Sequence, residues 1–177
     1  MSSLLTEALS LCNLAAVGIF GIVLSAAFCE IEWTRCHKLL LVGSTILMLA
    51  LQGVVSLRWG TGLARYLYPL ITHLPLWLLL AAMTRRALWP LVSVLTAYLC
   101  CQLRRWAALL VIALFPAGGT VLQDATELIV TLPILLVLIR WIAPSVRALS
   151  RSPLLLQLQF GMIPLLSYLF DYFTRIY

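Results

Sequence analysis

Residues 8–28 read ALSLCNLAAVGIFGIVLSAAF, a stretch of 21 residues that contains no charged side chain. A run of about 20 apolar residues is the length that an α-helix needs to cross the hydrocarbon core of a bilayer. Similar apolar runs recur from Leu4 to Phe170, separated only by short breaks that carry arginines. The pattern predicts an all-α fold, a polytopic bundle of transmembrane helices.

The composition of the whole chain agrees with this prediction and excludes a soluble enzyme domain. Of the 177 residues, 63% are apolar and only 10% are charged, whereas a soluble domain carries about 25% charged residues. A nucleotide-binding or kinase domain would need on the order of 100 polar-patterned residues, and no such stretch is present. We therefore expect residues 1–177 to form a single integral-membrane helical domain, truncated at its C-terminal end.

The spacing of the apolar runs predicts about six spans plus a short broken or re-entrant helix. The spans are placed at about 8–28, 39–57, 66–83, 87–103, 120–142 and 154–170, and the half-length helix at 107–115. Proline removes a backbone donor and clashes with the preceding turn of a helix. The prolines predicted to kink or interrupt helices are Pro69, Pro75, Pro116, Pro133 and Pro164.

The basic residues predict how the chain is oriented in the membrane. With these spans, the loops on one side collect Arg35, Lys38, Arg85, Arg86, Arg140, Arg147 and Arg151, and those on the other collect Arg58, Arg65, Arg104, Arg105 and Arg175. Cytoplasmic loops carry the excess of Lys and Arg, so both chain ends are expected outside. The net charge of +6 is thus explained by helix ends and loops, and no basic cluster indicates nucleic-acid binding.

Motifs for catalysis or metal binding are missing from the sequence. Neither HExxH nor GxSxG occurs, and the five cysteines show no CxxC spacing. We expect no catalytic residue, no metal and no cofactor in this chain.

A few polar side chains within the apolar segments are candidates for ligand binding. His73 lies between two prolines, where it either contacts a ligand or relays protons inside the bundle, or is hydrogen-bonded to a backbone carbonyl near the kink. Asp124 and Glu127 share a helical face close to a helix start. They either cap that start and pair with an arginine, or bind a cation or cationic ligand. Arg104 and Arg105, followed by Trp106, are interpreted as an interfacial anchor.

Two segments resemble a known family. Residues 66–106 contain YLYPLITHLPLWLLL and SVLTAYLCCQLRRW, and residues 143–177 contain APSVRALSRS and GMIPLLSYLFDYFTRIY. These stretches are similar to the N-terminal, multi-span sensor region of GHKL-type sensor histidine kinases of Firmicutes, relatives of the quorum-sensing receptor kinases. In the matching stretch Tyr68–Pro75, Tyr68 joins His73 as a ligand-binding candidate.

The resemblance implies a function that the residues alone do not. It implies a sensor in the cell membrane that detects an extracellular or membrane-borne cue such as a peptide, works as a homodimer and regulates a following ATP-dependent histidine kinase. The phosphoacceptor histidine and the ATP-binding boxes of that kinase have no match here. We therefore predict a membrane receptor module of a two-component signalling kinase. The alternative is a small membrane transporter or channel subunit.

Overall fold

A computed structural model describes residues 2–114 and 119–176, and these residues form helices joined by short connections. The helices are α1 (Ser2–Phe28), α2 (Arg35–Tyr68), α3 (Leu74–Thr84), α4 (Leu88–Leu114), α5 (Gly119–Val137), α6 (Ala143–Leu149) and α7 (Leu154–Ile176), with π-helical turns at Pro69–His73 and Leu138–Ile142. Within the described ranges there is no strand. The predicted all-α bundle is confirmed.

Six helical segments of the described chain are long and apolar enough to cross a membrane. They are Thr6–Phe28, Arg35–Gly60, Gly62–Thr84, Leu88–Leu114, Val121–Leu149 and Leu154–Thr174. Because short connections join them, consecutive spans run in opposite directions. The chain is a multi-pass membrane protein.

The fourth span differs from its predicted form. Helix α4 continues without interruption from Leu88 to Leu114, so the separate half-length helix expected at 107–115 is not formed over 107–114. The prediction was wrong here because Arg104 was taken to end a span, whereas its charge is paired inside the bundle with Glu127. Pro116, predicted to break the chain after this segment, lies outside the described residues.

Two local departures from α-helical geometry lie where the sequence carries glycine or proline, and a third, the π-helical turn Leu138–Ile142, contains neither. Gly60 divides the second span from the third and has φ of +88°, a backbone conformation that side chains with a Cβ disfavour. Pro69 begins the first π-helical turn, and Pro75 lies in the first turn of α3. Pro133 and Pro164 lie inside α5 and α7. Extra residues in a π-helical turn change which side chains face the bundle.

One end of the bundle is a packed apolar core. Phe20, Leu24 and Phe28 of α1 are fully buried there, as are Leu80 of α3 and nearly all of Trp89 of α4. The indole Nε1 of Trp89 donates to the carbonyl oxygen of Phe28 at 3.0 Å. These residues lie next to the connections 29–34, 85–87 and 150–153, so the core occupies the half of the membrane on that side.

The connections at the packed end are tied to one another by charged side chains. Arg147 donates from Nε and Nη2 to the carbonyl oxygen of Ala27, at 3.1 and 2.7 Å. Arg86 donates to the carbonyl oxygen of Ser150 at 3.2 Å. Arg151 pairs with Glu30, and its hydrogen bonds and positive charge hold the pKa of the Glu30 carboxyl below its usual range. Hydrogen bonds and an ion pair between segments that are distant in sequence thus stabilise the predicted cytoplasmic end.

Candidate functional site

The opposite half of the bundle is hollow. A cavity of about 950 Å³ lies there, with a wall built from α1 between Ser10 and Ser25, the start of the third span, the middle of α4, the start of α5 and the end of α7. All four predicted ligand-binding residues line it: Tyr68, His73, Asp124 and Glu127. The fold therefore brings together candidates that are far apart in the sequence.

A network of charged and amide groups joins three helices at one side of this cavity. Arg104 of α4 pairs with Glu127 of α5, with 3.1 Å between Nη2 and Oε2. The same Nη2 donates to Oδ1 of Asn13 on α1 at 2.7 Å. The amide nitrogen of Asn13 in turn donates to Glu127 at 2.8 Å and to Asp124 at 3.1 Å. Asn13 thus bridges the arginine and both carboxylates.

The network leaves charge and hydrogen-bonding capacity unused. The side chains of Arg104 and Glu127 are only 3% and 11% exposed, yet Nε and Nη1 of Arg104 meet no acceptor within residues 2–114 and 119–176. In the described part of the chain, Asp124 has no basic partner and accepts only from Asn13. Buried ions are costly unless they are paired. Two carboxylates around one guanidinium therefore favour an additional positive charge.

Aromatic side chains surround His73 elsewhere in the cavity wall. Its ring centroid lies 5.0 Å from that of Tyr68, 5.2 Å from that of Tyr98 and 5.5 Å from that of Tyr168, with steep interplanar angles in each case. Nδ1 of His73 is 3.2 Å from the hydroxyl of Tyr168. The Tyr98 hydroxyl donates to the carboxylate of Asp171. Three spans therefore meet around one imidazole ring.

The surroundings of Tyr68 combine a close helix approach with a polar contact between neighbouring side chains. Next to Tyr68, the Nε2 of Gln52 donates to the hydroxyl of Thr72 at 2.7 Å, and both side chains are buried. A Cβ on Gly18 of α1 would lie 2.9 Å from Cδ2 of Leu49 and 3.8 Å from the Tyr68 hydroxyl. The absence of a side chain at Gly18 thus lets the first two spans meet beside the cavity.

Several residues of the site were not predicted from the sequence. Asn13 is the only asparagine of the chain. Its position within an apolar run was the one sequence feature that could have marked it as a site residue. Arg104 was assigned to the membrane interface but lies in the cavity wall, 2% exposed. Tyr98, Tyr168 and Asp171 stood in the quoted stretches without an assigned role. Their involvement depends on helix packing, which the sequence does not show.

The described residues form no evident metal centre, since His, Cys, Asp and Glu do not come together there in groups of three. Comparison with protein-family models, curated protein sequences and solved structures gives no match to this chain.

Proposed function

We propose that this chain is a membrane receptor module and that its ligand binds in the cavity between the five spans. The observation that carries the proposal is the convergence of a buried ion pair, a further carboxylate and a cluster of tyrosines on one cavity. Binding sites combine apolar walls with a few convergent polar groups in volumes of about 300–1,000 Å³. The positive-inside rule places this half of the bundle outside the cell, where an extracellular or membrane-borne cue has access.

The architecture also offers a means to convert binding into a signal. A ligand between α1, α4, α5 and α7 changes the balance between bundle arrangements if it contacts them differently in each. Helix α7 ends beside the cavity, so a ligand that shifts α7 passes the change to an output joined to that helix. The resemblance to GHKL-type sensor kinases favours a histidine kinase as that output, a plasma-membrane location and a homodimer.

Cysteine accessibility tests this proposal. In a chain lacking native cysteines, Thr72→Cys and Gln123→Cys place thiols in the cavity wall, and Ser152→Cys places one in a loop at the packed end. We expect the producing cells' extracellular fluid or lipid extract to slow alkylation at 72 and 123 and to leave 152 unchanged. Equal alkylation rates at 72 and 123 with and without both extracts would contradict a receptor role.

A transporter or channel subunit is the second candidate, favoured by the ionised network inside the membrane. Charged residues at membrane depth often mark an ion or substrate pathway. Reconstituted vesicles separate the two functions. A receptor gives no proton, sodium or potassium flux above that of empty vesicles, whereas a transporter gives a flux that Asp124→Asn abolishes.

A further inference from the structure

The charge balance of the cavity network indicates the chemistry of a ligand. Glu127 is neutralised by Arg104 at 3.1 Å, but the only described partner of Asp124 is the neutral amide of Asn13. A carboxylate within the membrane is stabilised when an opposite charge binds to it. The other two charged residues of the cavity wall, Arg105 and Asp171, offset each other. A cationic group at Asp124 therefore brings the cavity to neutrality, and an anionic group increases the excess of negative charge.

Arg104 supplies a second, independent observation. Its Nε and Nη1 are buried and meet no acceptor among the residues that the structure describes, although Arg104 lies in the cavity wall. An unsatisfied buried donor destabilises the chain, so a ligand gains affinity by offering these nitrogens an acceptor. A neutral carbonyl or hydroxyl oxygen satisfies these donors without adding negative charge to a site that already has two carboxylates.

The spacing of the two groups limits the shape of the ligand. Asn13 accepts from Arg104 at 2.7 Å and donates to Asp124 at 3.1 Å. The guanidinium and the Asp124 carboxylate are therefore separated by two hydrogen bonds and one amide group, at most about 8 Å. A molecule with its amine and its acceptor oxygen only a few bonds apart spans this distance.

The aromatic part of the cavity adds a preference for an apolar group. Tyr68, Tyr98 and Tyr168 all line the cavity, and tyrosine rings pack against apolar groups. We infer that the cavity binds an organic cation, an amine that carries a nearby carbonyl or hydroxyl group and an apolar side group. Its ammonium lies at Asp124 and its oxygen at Arg104. This inference rests on the proposed function, since it concerns the ligand of the same cavity.

Four probes with one skeleton test the inference. They are phenylalaninamide (cation with carbonyl), phenylalanine (zwitterion), N-acetylphenylalaninamide (neutral) and N-acetylphenylalanine (anion). Calorimetry with the purified chain in phosphatidylcholine nanodiscs should give the tightest binding for phenylalaninamide and the weakest for the anion. Removal of a charge-assisted contact by Asp124→Asn should weaken phenylalaninamide binding about tenfold or more.

A matched control is the same acid-to-amide change outside the cavity, at the exposed Glu32 of the 29–34 loop. We expect Glu32→Gln to bind phenylalaninamide as the unsubstituted chain does. Binding of the neutral or anionic probe as tightly as the cation, or cation binding unaffected by Asp124→Asn, overturns this inference and leaves the receptor proposal standing. Failure of all four probes to bind overturns the inference, and flat cysteine accessibility in the separate alkylation experiment overturns the receptor proposal.

Discussion

Arg104 has a different role in the structure from the one that its sequence context predicts. In the sequence it follows a long apolar run and precedes Arg105 and Trp106, which is typical of the end of a span. In the structure α4 continues for a further ten residues to Leu114, and the Arg104 guanidinium is buried against Glu127 and Asn13. The neighbouring Arg105 is exposed. The two arginines differ in their contacts with other helices, which the sequence does not show.

Arg104→Ala should destabilise the chain by about 3–5 kcal/mol, because it leaves two carboxylates inside the bundle without a cation. Arg105→Ala is the matched control, and its effect should stay within about 0.5 kcal/mol. Unfolding in mixed micelles with increasing SDS measures both. Equal effects of the two substitutions would show that Arg104 is not paired in the folded chain.

The pairing also predicts a partial rescue. Arg104→Met combined with Glu127→Gln removes both ions of the pair, so no unpaired arginine or glutamate remains. The double variant should be more stable than Arg104→Ala alone in the same SDS titration. If Glu127→Gln lowers the stability of the double variant by as much as it lowers that of the unsubstituted chain, Glu127 is not stabilised by Arg104.

At the scale of elements, the packing of α7 on α4 depends on the absence of a side chain at Gly161. A Cβ there would lie 2.8 Å from Cγ2 of Val92, a buried β-branched side chain with little freedom to move. Gly161→Ala should cost about 1–3 kcal/mol through overpacking. Gly43 is the control, since a Cβ there meets nothing within 4 Å, and Gly43→Ala should be neutral or stabilising.

The measurement for both glycines is the midpoint of SDS-induced unfolding. A lower unfolding midpoint for Gly161→Ala, with no decrease for Gly43→Ala, agrees with close approach of α4 and α7. If Gly161→Ala is as well tolerated as Gly43→Ala, the two helices are farther apart than described.

The ion pair between Glu30 and Arg151 joins the 29–34 connection to the 150–153 connection and should stabilise the chain in a pH-dependent way. Arg151 lowers the pKa of Glu30 in the folded chain. A lowered folded pKa gives stability that is present above the ordinary glutamate pKa of about 4.3 and is lost as the pH falls through the folded value. The stability difference between the unsubstituted chain and Glu30→Gln should therefore be present at pH 7 and vanish in acid.

Salt provides the control for this pair. Arg151 is exposed, so about 1 M salt should reduce the difference at pH 7 by screening. A difference that is independent of both pH and salt would show that Glu30→Gln acts through packing.

At the scale of the whole molecule, the bundle has a packed end and a hollow end. The predicted count gives seven basic residues in the loops at the packed end and five on the other side. In the structure Arg104 is buried in the fourth span and Arg140 lies within the fifth, so each side loses one and the excess at the packed end remains. We expect the packed end to face the cytoplasm.

Membrane-impermeant maleimide tests this orientation in a chain without native cysteines. Glu32→Cys and Ser152→Cys, in two connections at the packed end, should react only after the cells are permeabilised. Gly62→Cys, between the second and third spans, should react in intact cells. The reverse labelling pattern would place the cavity on the cytoplasmic side.

The sequence was sufficient for the fold class because an apolar run of span length has few other structures open to it. It also identified His73, Asp124 and Glu127 as polar groups within apolar segments. It did not indicate that Asn13 bridges Arg104 and Asp124, because three separate helices must first pack. Nor did it show that α4 continues beyond Arg104, since continuation depends on a partner supplied by α5.

The ion pair between α4 and α5 has a consequence for biosynthesis. An arginine near the middle of a spanning helix costs about 2.5–3.5 kcal/mol on insertion, and Arg104 lies within the Leu88–Leu114 span. Its partner Glu127 is carried by the very next span to leave the ribosome. The two helices can therefore enter the membrane as a hairpin in which Arg104 and Glu127 are already paired. Asn13, on the first helix, has been inserted before them. Assembly of the cavity then begins at the translocon.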